Sequence, residues 1–487
     1  MLFNSVEFLV FFPVVVITMF ALPTKLRNLF LLCRSLYFYM SWEPRYIVLI
    51  GFSILVTYIC ALLIDKFHKE ENIKLKKISL TVAIFLNLAV LFVFKYYDFF
   101  VYNVNTVFGA ALPFIKVALP VGISFFTFQV MGYVIDVYEG KLPAEKNLVN
   151  YALFISFFPQ LVAGPIERAT NLLPQFYKKH KFDYARVKDG LVLMAWGFFK
   201  KLVVADSVAA IVNTVYNDVT RYTGMQLIIA TVLFAFQIYG DFSGYSDIAR
   251  GAAKVLGYNL MANFNRPYIS KSFTEFWSRW HISLSGWFQD YIFQPIVWHS
   301  KNPAFAAYYA ILTVFIVSGF WHGAAWTYVV WGLLHALFRM LEIYTRKAKK
   351  KFYKKLGVNT KGKIYGGFKI ITTFALVCFT YIFFRANNLA DAMYIVCNMF
   401  SDIGSVFVGG HIVSCLEGMS FYSNNGMALV LCILFMLFME KWAGNEAVFE
   451  RIGRCKAPVR WLFYYAIMML ILFFGWFGQS QFIYFQF

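Results

Sequence analysis

Apolar runs long enough to cross a bilayer recur along nearly the whole chain, separated by short polar or basic stretches. They predict spanning helices over about 5–22, 28–42, 46–64, 78–97, 112–137, 188–214, 223–240, 304–321, 324–343, 369–385, 426–440 and 460–478. The run 149–163 is short and ends in Phe158–Pro159 and Gly164–Pro165, so it reads as re-entrant rather than spanning. The stretch between Tyr239 and Ala304 mixes Trp and Phe with Arg266, Lys271, Arg279 and His281, a pattern suited to amphipathic helices in the cytoplasmic interface. No internal repeat or soluble linker interrupts the pattern. The expected fold class is an all-α polytopic membrane protein, with about 11–12 transmembrane helices plus re-entrant and interfacial helices around a central cavity. Residues 1–487 form a single integral-membrane domain on this reading, with 241–303 as the interfacial cytoplasmic-side segment and 345–368 as a basic cytoplasmic loop.

Composition fits that class. The chain is 60% hydrophobic and 14% charged, where a soluble domain carries about 25% charge. Basic residues outnumber acidic ones, 45 to 25. The excess sits in short loops between apolar runs, so it reads as an orientation signal and as contact with lipid headgroups, not as a nucleic-acid surface. The Thr345–Lys363 stretch is strongly basic and is placed in the cytoplasm, whereas 387–425 has no Lys or Arg and is placed outside. Both termini then lie outside. The opening MLFNSVEFLVFFPVVVITMFALP has no basic n-region or cleavage site and is expected to remain as the first helix. Seven scattered cysteines without a CxxC indicate neither a disulfide framework nor a metal site.

The candidate chemistry centres on His322. It lies within IVSGFWHGAAWTYVVWGLLHALF (Ile316–Phe338), where an ionisable side chain is costly in hydrocarbon and marks a functional site. Imidazole can move a proton near neutral pH. The bland alternative is a histidine satisfied by a neighbouring carbonyl, or one facing a water-filled pocket. The topology sets His322 in the outer half of the membrane, starting the helix that runs to the basic loop. His335, more than three helical turns further on, reads as a helix–helix hydrogen bond. Asp241, Ser243, Tyr245 and Asp247 either line a cavity or cap the helix that follows 223–240. Glu167 and Arg168 are a candidate pair.

Five motifs in order carry a resemblance: PVGISFFTFQVMGYVIDVY (Pro120–Tyr138), FFPQLVAGPIER (Phe157–Arg168), DFSGYSDIARG (Asp241–Gly251), FWSRWHISLSGWFQDYIF (Phe276–Phe293) and GFWHGAAWTYVVWG (Gly319–Gly332). Together they resemble the membrane-bound O-acyltransferase family. The opening MLFNSVEFLVFFP and the length look most like its bacterial branch that includes alginate O-acetyltransferase, with the D-alanyl transferase of teichoic acids as an alternative. The resemblance implies acyl transfer from a thioester to a hydroxyl, with His322 at the family's near-invariant histidine and His281 at its second polar position. A base at His322 takes the hydroxyl proton as the oxygen attacks the thioester carbonyl. Backbone N–H groups near Gly323 and Ala324 are the expected oxyanion donors. His281 is open between a site on the donor side and a structural histidine among aromatics. Arg279 is open between donor phosphates and a lipid headgroup, and His299 has a weaker claim.

The C-terminal FIYFQF (Phe482–Phe487) reads either as an aromatic belt at the outer interface or, by resemblance, as a motif whose Tyr484 carries the acyl group. The resemblance implies no bound cofactor, with acetyl-coenzyme A or an acyl carrier protein as co-substrate. It implies a polysaccharide acceptor and an extracytoplasmic SGNH-type esterase-like partner, at a bacterial plasma membrane. A transporter of lipid-linked sugar also needs a polar cavity, but the paired broken helices of related halves are not visible. A scaffold with a structural histidine is the third reading.

Overall fold

The computed structural model describes every residue except 163, 445, 479–481 and 484–487. Among the described residues the regular structure is helical throughout. All twelve predicted spans fall on helices. Seven of these helices are both long and apolar enough to cross a membrane: Pro44–Lys69, Ile73–Phe108, Gly224–Leu256, Pro303–His322, Lys363–Arg385, Gly426–Ala443 and Ala457–Phe474. The other predicted spans fall short for visible reasons. Val6–Ala21 and Ile123–Tyr138 have 16 residues each. Thr24–Met40 carries Lys25, Arg27 and Arg34. The predicted span 188–214 contains Lys200, Lys201 and Asp206, and the helix Trp326–Lys355 is charged through its second half.

The chain packs as two compact units, Met1–Trp196 with Tyr245–Ala262, and Gly197–Gly244 with Asn263–Phe487. In the first unit, Ser5 caps the opening helix by accepting the Phe8 N–H at 3.3 Å. Its aromatic core joins Phe3 to Phe8 and Tyr245, with centroids 4.9 and 4.7 Å apart. The predicted span 112–137 shortens because Pro113 and Pro120 keep the chain out of helix. The helix begins after Gly122, whose φ of 75° suits a residue without a Cβ. Ile123–Tyr138 is then buried almost throughout, so it is a core helix wrapped by others. The predicted re-entrant run is two short helices, Leu148–Ser156 and Phe158–Leu161, broken at Phe157.

Two expectations are corrected. The helix that begins at Gly224 does not stop near Tyr239 but runs unbroken to Leu256. Asp241 and Ser243 therefore sit mid-helix and buried, and cap nothing. Their helix continues because Gly240 and Gly244 let another backbone approach: a Cβ on either would lie 2.9 Å from Lys200 O or 2.7 Å from Gly197 O. The basic loop is likewise shorter than expected, since helix persists through Lys355.

Candidate active site around two buried histidines

His322 is the last residue of the helix Pro303–His322. The next helix starts at Trp326, so His322 ends one helix rather than starting the other, as the sequence had implied. Gly323 and Ala325 are extended, which breaks the path between them. The two helices meet closely because a Cβ at Gly319 would lie 2.5 Å from Tyr328 O, and one at Gly332 2.3 Å from Phe315 O. Small residues at such a crossing let backbones touch in a membrane. His322 is 3% exposed. Its ring is edge-on to Trp331 and Phe384 at 4.8 and 5.1 Å.

The oxyanion assignment to Gly323 fails. Its N–H is spent on Gly319 C=O at 3.3 Å, closing the end of the helix. The buried Trp331 Nε1–H has no hydrogen-bond partner among the described residues, and its indole packs edge-on to the His322 ring. A buried donor left unmatched asks for an explanation, and an oxygen that appears only during reaction supplies one.

His281 is fully buried and precedes the helix Ile282–Phe288 with φ 43° and ψ 55°. A left-handed backbone is uncommon for a residue with a side chain and persists where surroundings impose it. Here the imposing element is Asn263, which accepts Ile282 N–H on its carbonyl at 2.9 Å and Ser283 N–H on its side chain at 3.2 Å. Asn265 N–H donates to Arg279 C=O at 2.9 Å, fixing the other side of the turn. The His281 ring lies 4.7 Å from Phe242 and 5.7 Å from Trp321. Burial pushes its imidazole down to about 3, so it is neutral at pH 7. Trp321 thus packs against both candidate histidines, being 5.1 Å from His322.

His335 and His299 make structural contacts. His335 Nε2 is 2.9 Å from Thr380 Oγ1 on the helix Lys363–Arg385, the expected bond between helices. Trp277 Nε1–H donates to His335 Nδ1 at 3.3 Å, which leaves the proton on Nε2. His299 bonds the Pro295 carbonyl at the surface. Arg279 is held by Glu275 at 2.9 Å. Glu167 accepts Asn171 Nδ2–H at 2.7 Å and also the Met261 N–H.

Sequence reasoning missed a buried charge cluster. Lys201 Nζ lies 2.8 Å from both Asp206 Oδ1 and Asp241 Oδ1, with 1% of its side chain exposed. Lys201 sits in a π-helical turn, Phe199–Ala205, of the kind often found at functional sites. The signal was present: charges inside the apolar run 188–214 are themselves a site hypothesis. Asp241 Oδ2 also accepts the Ile483 N–H at 2.8 Å. Phe482 is buried against Phe242 at 5.6 Å, the same ring that contacts His281. For Phe482 and Ile483 the reading as an interfacial belt is therefore wrong, because both enter the core. Tyr484 lies outside the described residues.

A separate cavity of about 310 Å³ is walled by aromatic rings including Phe236, Tyr268 and Phe374, with Arg266 and Lys441 among its lining. Tyr239 O–H donates to Glu440 at 2.7 Å beside it.

Comparison with known proteins matches this architecture. The profile of the membrane-bound O-acyltransferase family covers residues 141–383. A probable alginate O-acetylase of Pseudomonas aeruginosa is 36% identical over 408 residues, 82% of this chain and 75% of that protein. A peptidoglycan O-acetyltransferase of Helicobacter pylori is 32% identical over 431 residues, 82% of this chain and 80% of that one. A teichoic acid D-alanyltransferase of Bacillus subtilis is 30% identical over 274 residues, 55% of this chain and 68% of that protein. With an all-helical fold carrying apolar helices long enough to cross a membrane, the chain belongs to the membrane-bound O-acyltransferase family and is an integral-membrane acyltransferase.

Proposed function

We propose that the protein moves an acetyl group from a cytoplasmic thioester across the plasma membrane of a bacterium for O-acetylation of an extracytoplasmic polysaccharide. The observation that carries this reading is His322, buried at the end of an apolar helix long enough to cross a membrane and packed edge-on against the Trp331 indole. The imidazole takes the proton of the attacking hydroxyl, and the oxygen closes on the thioester carbonyl carbon. Trp331 Nε1–H donates to the resulting oxyanion, the C–S bond breaks, and the thiol leaves with a proton returned from His322. Acetyl is favoured over D-alanyl because the acetylating relatives align over 82% of the chain, against 55% for the alanylating one. Acetyl-coenzyme A and an acyl carrier protein both present a thioester on a long phosphate-bearing arm. The apolar cavity with Arg266 and Lys441 suits such an arm.

On this reading Tyr484 accepts the acetyl group and hands it on, with an SGNH-type esterase-like partner completing transfer to the polymer. Support for a role of the tail comes from Phe482 and Ile483, which are held beside Asp241 and Phe242.

Purified protein in liposomes, given a labelled acetyl thioester, tests both steps. His322→Ala should lower thiol release roughly 10²–10⁴-fold while leaving the fold intact, and a variant near wild-type rate would sink the mechanism. Tyr484→Phe keeps the ring and loses the oxygen. It should abolish the hydroxylamine-labile label on a C-terminal peptide, and unchanged acceptor acetylation would leave direct transfer as the mechanism.

A further inference from the structure

Between the helices Lys363–Arg385 and Gly426–Ala443, three side chains of different donor chemistry converge on one point. Asp402 precedes the 3₁₀ turn Ile403–Phe407, His411 opens the helix His411–Gly418, and Cys415 lies one turn along that helix. Their ligand atoms all lie within 4.8 Å of one another. His411 Nε2 is 2.9 Å from Asp402 Oδ2 and 3.6 Å from Cys415 Sγ.

The same ring nitrogen faces both partners. A Cys–His–Asp relay needs the thiol on one imidazole nitrogen and the carboxylate on the other, so that each does a separate job. This cluster is therefore no nucleophilic centre. A metal ion makes the opposite demand, that all lone pairs aim at a shared centre. Zinc bonds of about 2.0–2.2 Å to nitrogen and oxygen and about 2.3 Å to sulfur, at tetrahedral angles, set neighbouring donor atoms roughly 3.3–3.6 Å apart. The observed separations need shifts of a few tenths of an ångström to about one ångström.

The ligands are also oriented from behind. Asp402 Oδ1 accepts the Met225 N–H at 2.8 Å, which leaves Oδ2 for the ion. Gln226 Nε2–H donates to the Cys415 carbonyl at 3.2 Å. Such outer partners hold a ligand in its coordinating orientation.

We propose that Asp402, His411 and Cys415 bind a divalent ion of the zinc class, with water in the fourth position. Thiolate and imidazole select against calcium and magnesium, which take oxygen ligands. Through Met225 and Gln226 the ion clamps this segment to the start of the helix Gly224–Leu256, whose later residue Asp241 holds Ile483.

The test uses full-length detergent-purified protein, stripped with a chelator and titrated with Co²⁺ in a background where the exposed Cys33 and Cys397 are serine. One ion per chain should bind with thiolate-to-cobalt charge-transfer absorption and be displaced by Zn²⁺. Cys415→Ser should remove that absorption, and His411→Ala should weaken binding roughly tenfold or more. Absence of the band in the parent protein, or its survival in Cys415→Ser, overturns the proposal. The parent protein also reports without substitution: Zn²⁺ should slow hydrogen exchange at the Met225 amide, and an unchanged rate counts against the clamp.

Discussion

A lysine with almost none of its side chain exposed persists inside helical packing because two carboxylates meet it. Lys201 is 2.8 Å from each of Asp206 and Asp241, and the Ile483 N–H offsets part of the surplus negative charge. Removing the cation alone leaves two buried carboxylates facing each other, which costs about 3–5 kcal/mol in comparable cases. Lys201→Met should therefore lower the unfolding midpoint in a denaturant titration. The same change with Asp206→Asn and Asp241→Asn should recover most of the loss, since no net charge is then buried. Asp241 also separates charge from anchoring. Asp241→Asn retains an oxygen for Ile483, whereas Asp241→Ala does not. Amide exchange at Ile483, followed by mass spectrometry of a C-terminal peptide, should accelerate in the alanine variant and stay slow in the asparagine variant. Equal rates in both would detach the tail from this carboxylate.

At the scale of elements, the segment after the short helices Leu148–Ser156 and Phe158–Leu161 carries a buried carboxyl that responds to pH. Glu167 is 2% exposed, and burial pushes its carboxyl up to about 7 although Asn171, the Met261 N–H, Arg250 and Arg168 favour the charged form. Its folded value lies above the unfolded one, so folding takes up a proton between about pH 4.5 and 7. The stability Glu167 contributes is present at low pH and is lost as pH rises through 7. Glu167→Gln mimics the protonated carboxyl, and the Asn171 amide can turn to accept from it. The variant should match wild type in thermal stability at pH 5 and exceed it at pH 8. A constant difference across that range would exclude titration of Glu167 as the cause. These elements were legible in part. Each apolar run marked its helix, because burial or lipid contact of that face is what forms it. Helix ends were less legible. The continuation through Asp241 to Leu256 depends on the approach of Gly197 and Lys200, and the end at His322 on the extended Gly323, neither of which is encoded by local apolarity.

At the scale of the whole molecule, motif order identified the family and singled out His281 and His322 as candidates. What brings His281, Phe242 and Phe482 together was not readable, since those contacts join residues 39 and 240 positions apart and no local pattern records them. Charge distribution is the long-range property a sequence does record, and it sets the direction of the proposed reaction. Ten Lys and Arg lie between Arg346 and Lys369, against none from 387 to 425. The positive-inside rule leads us to propose the first stretch in the cytoplasm and the second outside. Lys350→Cys and Gly404→Cys test this without reference to chemistry. Both positions are exposed, and a Cβ at Gly404 meets nothing within 4 Å. With the accessible Cys33, Cys397 and Cys455 replaced, an impermeant maleimide should modify the cysteine at 404 in intact cells and reach the one at 350 only after permeabilisation. The reverse pattern would put the basic stretch outside and invert the helix Trp326–Lys355 that follows His322. Acetyl transfer would then have to run toward the cytoplasm, and the vectorial mechanism would fail even if His322 proved essential.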